Sequence, residues 1–364
     1  MSTPLFDLTL TEEQRITRES MRRLARDTLS SQARAADDSV AADPALLDAI
    51  SGFGLALMPM PEALGGVGMP RSPLSNALAV EDLAQGDMSH TLAALQPMAA
   101  VNALMDFGDE QQQERWLPAL AAENFAGAAV ALNEPRATFE PGAPATTANK
   151  AGDGYTLNGV KSLVPMAAQC QWFVVTAALD GDVAAFVVPA DAEGLSIEPE
   201  PYMGLRSANM ASLTLENVLV PAREKLPNFD LDRLLDLSRI GQCALAVGCC
   251  QALMEYSIPY VKERKAFGEP IAWRQSVAFM VANMGIEIEG MRLMMLRAAS
   301  RAEQGLDFHR EAYLAQLQCM EKAMEIGTNG IQLFGGAGFV RDYPLEMWYR
   351  NLRGIAVLHG SLMV

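Results

Sequence analysis

Few residues of this 364-residue chain are of types that could do chemistry, and their spacing narrows what that chemistry would be. Only three histidines occur, His90, His309 and His359, and none stands at metal-ligand spacing from a cysteine or carboxylate, so no resident metal is expected. A neutral imidazole can take up a proton, its unperturbed pKa being about 6.5, so each histidine is a candidate base to be weighed against a structural role. His90 falls in an apolar helical stretch and reads as core. His309 lies among Asp307, Arg310 and Glu311 and reads as solvated. Gly336-Ala-Gly338 runs into Phe339-Val340-Arg341, which omits the third glycine of a dinucleotide fingerprint, and there is neither a phosphate-binding loop nor an HExxH motif. The five cysteines, Cys170, Cys243, Cys249, Cys250 and Cys319, form no CxxC, and their odd number suits reduced thiols in a cytoplasmic protein. The 21 methionines, Met291, Met294 and Met295 among them, read first as adaptable core. With 28 Lys and Arg against 44 Asp and Glu the net charge is -16, which opposes attraction to nucleic acid or an anionic membrane.

Three stretches of different texture must position these residues. Apolar residues at helical spacing run from 11 to 29, with Thr11 and Gln14 placed to form a capping box, and the spacing predicts further helices over 44–50, 72–84, 89–107 and 109–123. Short alternating runs then follow over 125–132, 155–164, 171–178, 182–188 and 212–220, bounded by Gly, Pro, Asp and Asn, and predict a β-domain. Within it Asn158-Gly159 reads as a tight turn between strands. Beyond Pro221 three long helices are expected over 231–262, 275–304 and 308–334, a bundle able to pack on another subunit. The expected domains are 1–124, 125–228 and 229–364. The first ten residues lack the pattern of a leader, and the longest uncharged stretches are interrupted by polar residues, which argues against a membrane span.

Motifs recur in order along this layout. They are Pro61-Glu-Ala-Leu-Gly-Gly-Val-Gly-Met69, Glu81-Asp-Leu-Ala-Gln-Gly-Asp87, Asn133-Glu-Pro135, Leu157-Asn-Gly-Val-Lys161, Met203-Gly-Leu-Arg-Ser207, Arg264-Lys-Ala-Phe-Gly-Glu-Pro-Ile271, Gln332-Leu-Phe-Gly-Gly-Ala-Gly338 and Tyr343-Pro-Leu-Glu346. From about Thr11 to its end the chain resembles the acyl-CoA dehydrogenase family of flavoproteins. The resemblance implies a mostly α fold with a central β-domain: an N-terminal helical domain, a middle β-barrel or sandwich, and a C-terminal four-helix bundle. It implies FAD between the β-domain and the bundle, an acyl-CoA thioester against the flavin, a tetramer, and an electron-transfer flavoprotein as redox partner. In that chemistry a base removes the α-proton while the β-hydride passes to the flavin.

The same resemblance implies that each FAD site is built from two chains, and this sequence treats the two contributions differently. Arg264, Phe267, Gln275, Gln332, Gly335 and Gly336 match the part lent to a neighbouring subunit's FAD, Arg264 as a cation for the pyrophosphate. The part that would hold the chain's own flavin departs from the pattern. Asn133 stands where a small hydroxyl residue is usual, Phe139 where a serine is, and Leu163-Val164-Pro165 replaces a Trp-x-Thr, so that Pro165 supplies no donor. The catalytic glutamate aligns with His359, and its minority position with Ser238. The resulting expectation is a non-catalytic, site-sharing subunit of a heteromeric enzyme acting on an acyl-CoA thioester, of a bulky or steroid type by family analogy. The alternatives are a self-sufficient homotetramer using His359 as base and a non-enzymatic scaffold.

Overall fold

Thr11 opens the first helix as its sequence predicts, its side chain accepting from the Gln14 N–H while Gln14 reaches back to the Thr11 N–H. In the computed structural model, which describes residues 9–122 and 124–364, α1 (Glu12–Leu24) passes through a π-helical turn, Ala25–Leu29, into α2 (Ser30–Ser39). Helical backbone thus extends well past the expected end at 29. The terminal residues read as lacking a leader, up to Leu8, and Glu123, the expected end of a helix, lie outside the described residues. The π-turn lies where Gly86 of the next long helix crosses: a Cβ on Gly86 would stand 2.5 Å from Ala25 O and 2.8 Å from Leu29 Cβ.

α3 (Pro44–Ser51) starts at Asp43, whose side chain accepts from Ala45 N. The two helices expected over 72–84 and 89–107 form one rod, α4 (Pro73–Phe107), broken only at Asp87, where φ is -158° and ψ 115°. The Asp87 carboxylate accepts from Ser89 N and pairs with His90 Nδ1, and His90 Nε2 accepts from Asp43 N at 3.2 Å. Both His90 nitrogens are thereby engaged, and the ring is a fully buried strut between α3 and the break in α4. α5 (Glu110–Trp116) ends well before 123 because Pro118 has no N–H to continue it, and a 3₁₀ turn follows.

The middle of the chain forms a seven-stranded curled sheet: β1 (Gly127–Ala131), β2 (Thr147–Ala151), β3 (Gly154–Val164), β4 (Cys170–Leu179), β5 (Asp182–Pro189), β6 (Leu195–Pro199) and β7 (Ala211–Pro221). The strands run β1-β4-β2-β3-β7-β6, with β5 antiparallel on β4. Strands β1, β4 and β5 are buried on both faces. Ala129, Phe173, Val175 and Phe186 fill the curl, while Val130, Trp172, Val174 and Val187 face the helices. Asn158-Gly159 does not turn the chain, contrary to the sequence expectation. β3 runs straight through it with a bulge, because Asn158 Oδ1 accepts from Asn217 N on the facing strand, and the hairpin turn lies instead at Gly152-Asp153. Strands β2 and β6, each only 5 residues long, escaped the sequence reading.

The C-terminal region is a bundle of α6 (Leu231–Glu263), α7 (Gln275–Glu303) and α8 (His309–Phe334), with the hairpin β8 (Lys265–Ala266) and β9 (Glu269–Pro270) after α6. The short α9 (Gly336–Phe339) leads to α10 (Leu345–Arg353), which lies across α8. The expected order of helical, sheet and helical regions is the observed fold. By length and hydropathy α6 could cross a membrane, yet 78% of its most apolar window is buried within the chain, where it packs along α4. The three regions meet at Arg350 of α10. Its guanidinium grips both Asp37 oxygens of α2 (3.0 and 2.7 Å), Met203 O (2.9 Å) and Glu346 (2.7 Å), while Asn351 Oδ1 accepts from Leu205 N.

Gly86→Ala is expected to lower stability by about 1–3 kcal/mol, since backbone atoms must move to admit the methyl group. The exposed Gly142, whose Cβ would meet nothing within 4 Å, serves as the control. Urea midpoints should fall for the first variant and stay near the parent value for Gly142→Ala.

Candidate active site

The candidate residues fall into two groups with different surroundings. The first lies at neighbouring helix ends. Arg264 caps α6, Phe267 forms the tip of the β8–β9 hairpin with φ 55°, Gln275 begins α7, and Gln332, Gly335 and Gly336 lie at the end of α8. All six are exposed, Phe267 to 96%. The Arg264 guanidinium has no hydrogen bond or ion pair among the described residues, which leaves a cation free for an anionic group. Gly335 adopts φ 57° and ψ -131°, a conformation open mainly to glycine, and a Cβ at either Gly335 or Gly336 would meet nothing in this chain within 4 Å. Helix packing and capping therefore explain Gly335 through its backbone angles but do not explain Gly336. The room above Gly336 is the kind that a close-approaching ligand would fill.

Tyr260 joins the two helix ends. One turn before Arg264, its ring stacks on Phe334 at 3.7 Å between centroids, and its hydroxyl donates to Phe334 O at 3.4 Å. Arg274 lies 5.6 Å above the Phe267 ring and pairs with Glu269, which stiffens the hairpin. The sequence reading missed Tyr260; its i, i+4 spacing to Arg264 is the one signal that could have found it.

The second group surrounds His359, where the end of β1, the end of β3 and the segment after α10 converge. Asn133 is buried, its Nδ2 donates to His359 O at 3.2 Å, and its own carbonyl accepts from Ser162 N. Glu200 accepts from Ser162 Oγ (2.7 Å) and Leu163 N (2.8 Å). Leu163 itself is turned to φ 54°, and Pro165 has no N–H. The polar groups that this face could offer to a planar ring system are thus engaged within the chain or missing, and the residues do not fit a flavin ring held by this chain alone. Phe139 packs its ring 6.3 Å from that of His359, and the half-buried imidazole makes no side-chain hydrogen bond among the described residues. Burial and the nearby Arg239 charge push the His359 pKa below its ordinary 6.5, so the ring is neutral at pH 7. Ser238 is buried and accepts from Gln242 Nε2 at 3.2 Å. His309, expected to be solvated, is largely exposed but pairs with Asp236 at 2.9 Å.

A buried ion pair underlies this face. Lys161 on β3 is fully enclosed, its ammonium donating to Glu134 (3.0 Å), Thr176 Oγ1 (3.2 Å) and Leu132 O (3.2 Å). Burial lowers the Lys161 pKa to about 8 against the opposing pull of Glu134. Burial works to raise that of Glu134, but the Lys161 charge and the N–H groups of Thr146 and Ala145 outweigh it and hold the carboxyl below its ordinary value. This pair fixes Leu132 and Glu134 on either side of Asn133. The sequence reading named Lys161 only as the end of the motif Leu157-Asn-Gly-Val-Lys161, without its partner.

Three regions match families of known domains. Residues 11–124 match the acyl-CoA dehydrogenase N-terminal domain, 129–218 the middle domain and 231–364 the C-terminal domain. The probable acyl-CoA dehydrogenase YngJ of Bacillus subtilis is 34% identical over 97% of this chain and 95% of its own length. Butyryl-CoA dehydrogenase of Megasphaera elsdenii superposes with a TM-score of 0.88 at 28% identity, covering 96% of this chain and 95% of that one. PigA in complex with FAD and proline superposes with a TM-score of 0.86 at 25% identity, covering 97% and 95%.

Two outcomes follow from the electrostatics. Lys161→Met should cost about 3–5 kcal/mol in denaturant unfolding by stranding a buried carboxylate, and Lys161→Met with Glu134→Gln should cost less than the sum of the single changes. For His359, an imidazole whose pKa is lower in the folded than in the unfolded chain makes stability rise with pH between the folded value and 6.5. His359→Gln should flatten the stability profile in that window, as measured by thermal melts across pH.

Proposed function

The chain belongs to the acyl-CoA dehydrogenase family, and from that premise we propose that it serves α,β-dehydrogenation of an acyl-CoA thioester as a site-sharing subunit. It lends a dinucleotide-gripping surface to FAD held by a second family member that carries its own base. The observation that carries this reading is the contrast between the two groups. The free Arg264 and the open Gly335-Gly336 backbone lie on a solvent-facing surface, whereas the donors beside His359 are used internally or absent. FAD, when bound, supplies the hydride acceptor. This chain's residues bind and orient it. Arg264 would offset the pyrophosphate charge, Gly335 and Gly336 would admit close backbone approach, and Gln275 and Gln332 would provide hydrogen bonds. Tyr260 and Phe334 hold the two helix ends in register for that task.

Exposed apolar side chains on and around the same bundle, among them Trp273 at 72%, Phe279 at 57%, Ile286 at 68% and Phe339 at 82%, support its packing on another subunit. His359 is assigned a structural part, since Phe139 and the Asn133 contact to its carbonyl seat it without a partner that would raise its basicity. Nothing in the side chains around His359 favours a bulky or steroid acyl group, and the proposal is kept to the thioester class.

The test is flavin content. Purified alone, the chain should be nearly colourless and show no bleaching of flavin absorbance with octanoyl-CoA. Co-assembled with a glutamate-bearing family subunit from the same cell, it should give a yellow complex. There Arg264→Ala should weaken FAD retention about 10- to 100-fold, the worth of one charge-assisted hydrogen bond. A yellow homo-oligomer bleached by octanoyl-CoA would overturn this reading in favour of a self-sufficient enzyme, and a chain colourless with every partner would leave a scaffold.

A further inference from the structure

A small cavity of about 140 Å³ lies between the end of β3, the loop joining β6 to β7 and the segment after α10. Leu163, Met203, Leu205, Met210, Val357 and Leu358 form its walls, and none of Asn133, Phe139, Glu200 and His359 lines it. Two of these wall residues have backbones that leucine rarely adopts, with φ 54° at Leu163 and φ 58° at Leu205. In both, a side chain from elsewhere in the fold holds the amide: Glu200 accepts from Leu163 N at 2.8 Å, and Asn351 Oδ1 accepts from Leu205 N at 2.6 Å. Residues kept in an unfavourable backbone conformation by surrounding contacts cluster at ligand sites. Gly354 brings the walls together, since a Cβ there would stand 2.4 Å from Leu205 Cδ1. The polar side chains at the border are already engaged. Tyr202 Oη donates to Arg206 O and accepts from Met210 N, and the Arg350 guanidinium is committed to Asp37, Glu346 and Met203 O. Arg353 is the exception, because it is exposed, lines the cavity, and has no hydrogen bond or ion pair among the described residues. Met203 and Val357 are half-exposed, so the cavity is reached from solvent.

An apolar cavity with one uncommitted cation beside it selects a ligand that is apolar over most of its length and anionic at one end. At about 30 Å³ for each group of water or methylene size, 140 Å³ admits roughly five such groups. We propose that this cavity binds a short unbranched aliphatic carboxylate of about four to six carbons, its tail among Leu163, Leu205, Met210 and Leu358 and its carboxylate paired with Arg353. A guanidinium presents two parallel N–H donors to a carboxylate, which favours this anion over a neutral head group of the same size. Hydrolysis of a short acyl thioester is the class of reaction that releases such an acid. The inference goes beyond the family reading and does not rest on it, because it uses neither the dinucleotide surface nor His359.

The probes are unbranched carboxylates from acetate to octanoate, with pentan-1-ol as the neutral counterpart, titrated into the full chain carrying methyl-labelled methionine for nuclear magnetic resonance. Met203 and Met210 report on the cavity, their signals identified through Met203→Leu and Met210→Leu, and the remaining methionines show whether a probe binds elsewhere. Pentanoate should shift both signals with a dissociation constant on the order of 1 mM. Each methylene added between propanoate and pentanoate should tighten binding about fourfold, and the gain should stop by octanoate, when the cavity is full. Arg353→Gln, a change at an exposed position, should weaken pentanoate about tenfold or more and leave pentan-1-ol unchanged. The proposal is overturned if pentanoate leaves both signals in place well above that constant or shifts the methionines indiscriminately. It is equally overturned if the gain per methylene continues unbroken to octanoate, or if Arg353→Gln binds pentanoate as tightly as the parent chain. Neither flavin nor a partner subunit enters these measurements, so their failure leaves the lending of the dinucleotide surface standing, and failure of the flavin test leaves the carboxylate site standing.

Discussion

The grip of Arg350 on Asp37 is the contact on which the arrangement of the site depends. One guanidinium ties α2, the loop at Met203 and α10 together through four hydrogen bonds, and Asn351 adds a fifth connection to Leu205. Gly204 lets the loop approach: a Cβ there would lie 2.1 Å from Arg350 O. The segment leading to His359 follows α10 directly, so its position relative to the sheet and to α4 is set by this clamp. Partial burial strengthens it, because ion pairs shielded from water are little screened by salt, and a planar guanidinium matched to a carboxylate holds orientation as well as distance.

From that junction the two faces of the molecule diverge for electrostatic and steric reasons. Around His359, whose own ring has no side-chain hydrogen bond among the described residues, the neighbouring polar groups are engaged inside the chain. Glu134 is met by Lys161 and two backbone amides, Glu200 by Ser162 and Leu163, and Asn133 by the His359 carbonyl. Such a face has little to offer a polar ligand, since any new bond would displace an existing one. At the ends of α6 and α8 the opposite holds, with an unpaired cation, exposed amides and glycines facing open space. Among the described residues, the accessible hydrogen-bonding groups left without partners there are on the outer surface of the bundle.

The sequence by itself determined the order of helical, sheet and helical regions, because period and turn chemistry are local, and through the family resemblance it offered Arg264, Gly335 and Gly336 as candidates for a dinucleotide, because they fall in short motifs. The same resemblance places Pro165 and His359 where it implies a hydroxyl donor and a carboxylate, and those departures are matters of residue type alone. Tertiary structure decided the rest. Asn158-Gly159 became a bulge because Asn217 lay opposite, His90 a strut because Asp43 came within reach, and Tyr260 a link because Phe334 stacked beneath it. The left-handed turn at Leu205 depended on Asn351, more than a hundred positions downstream, and contacts made over such separations leave no periodic trace in either partner.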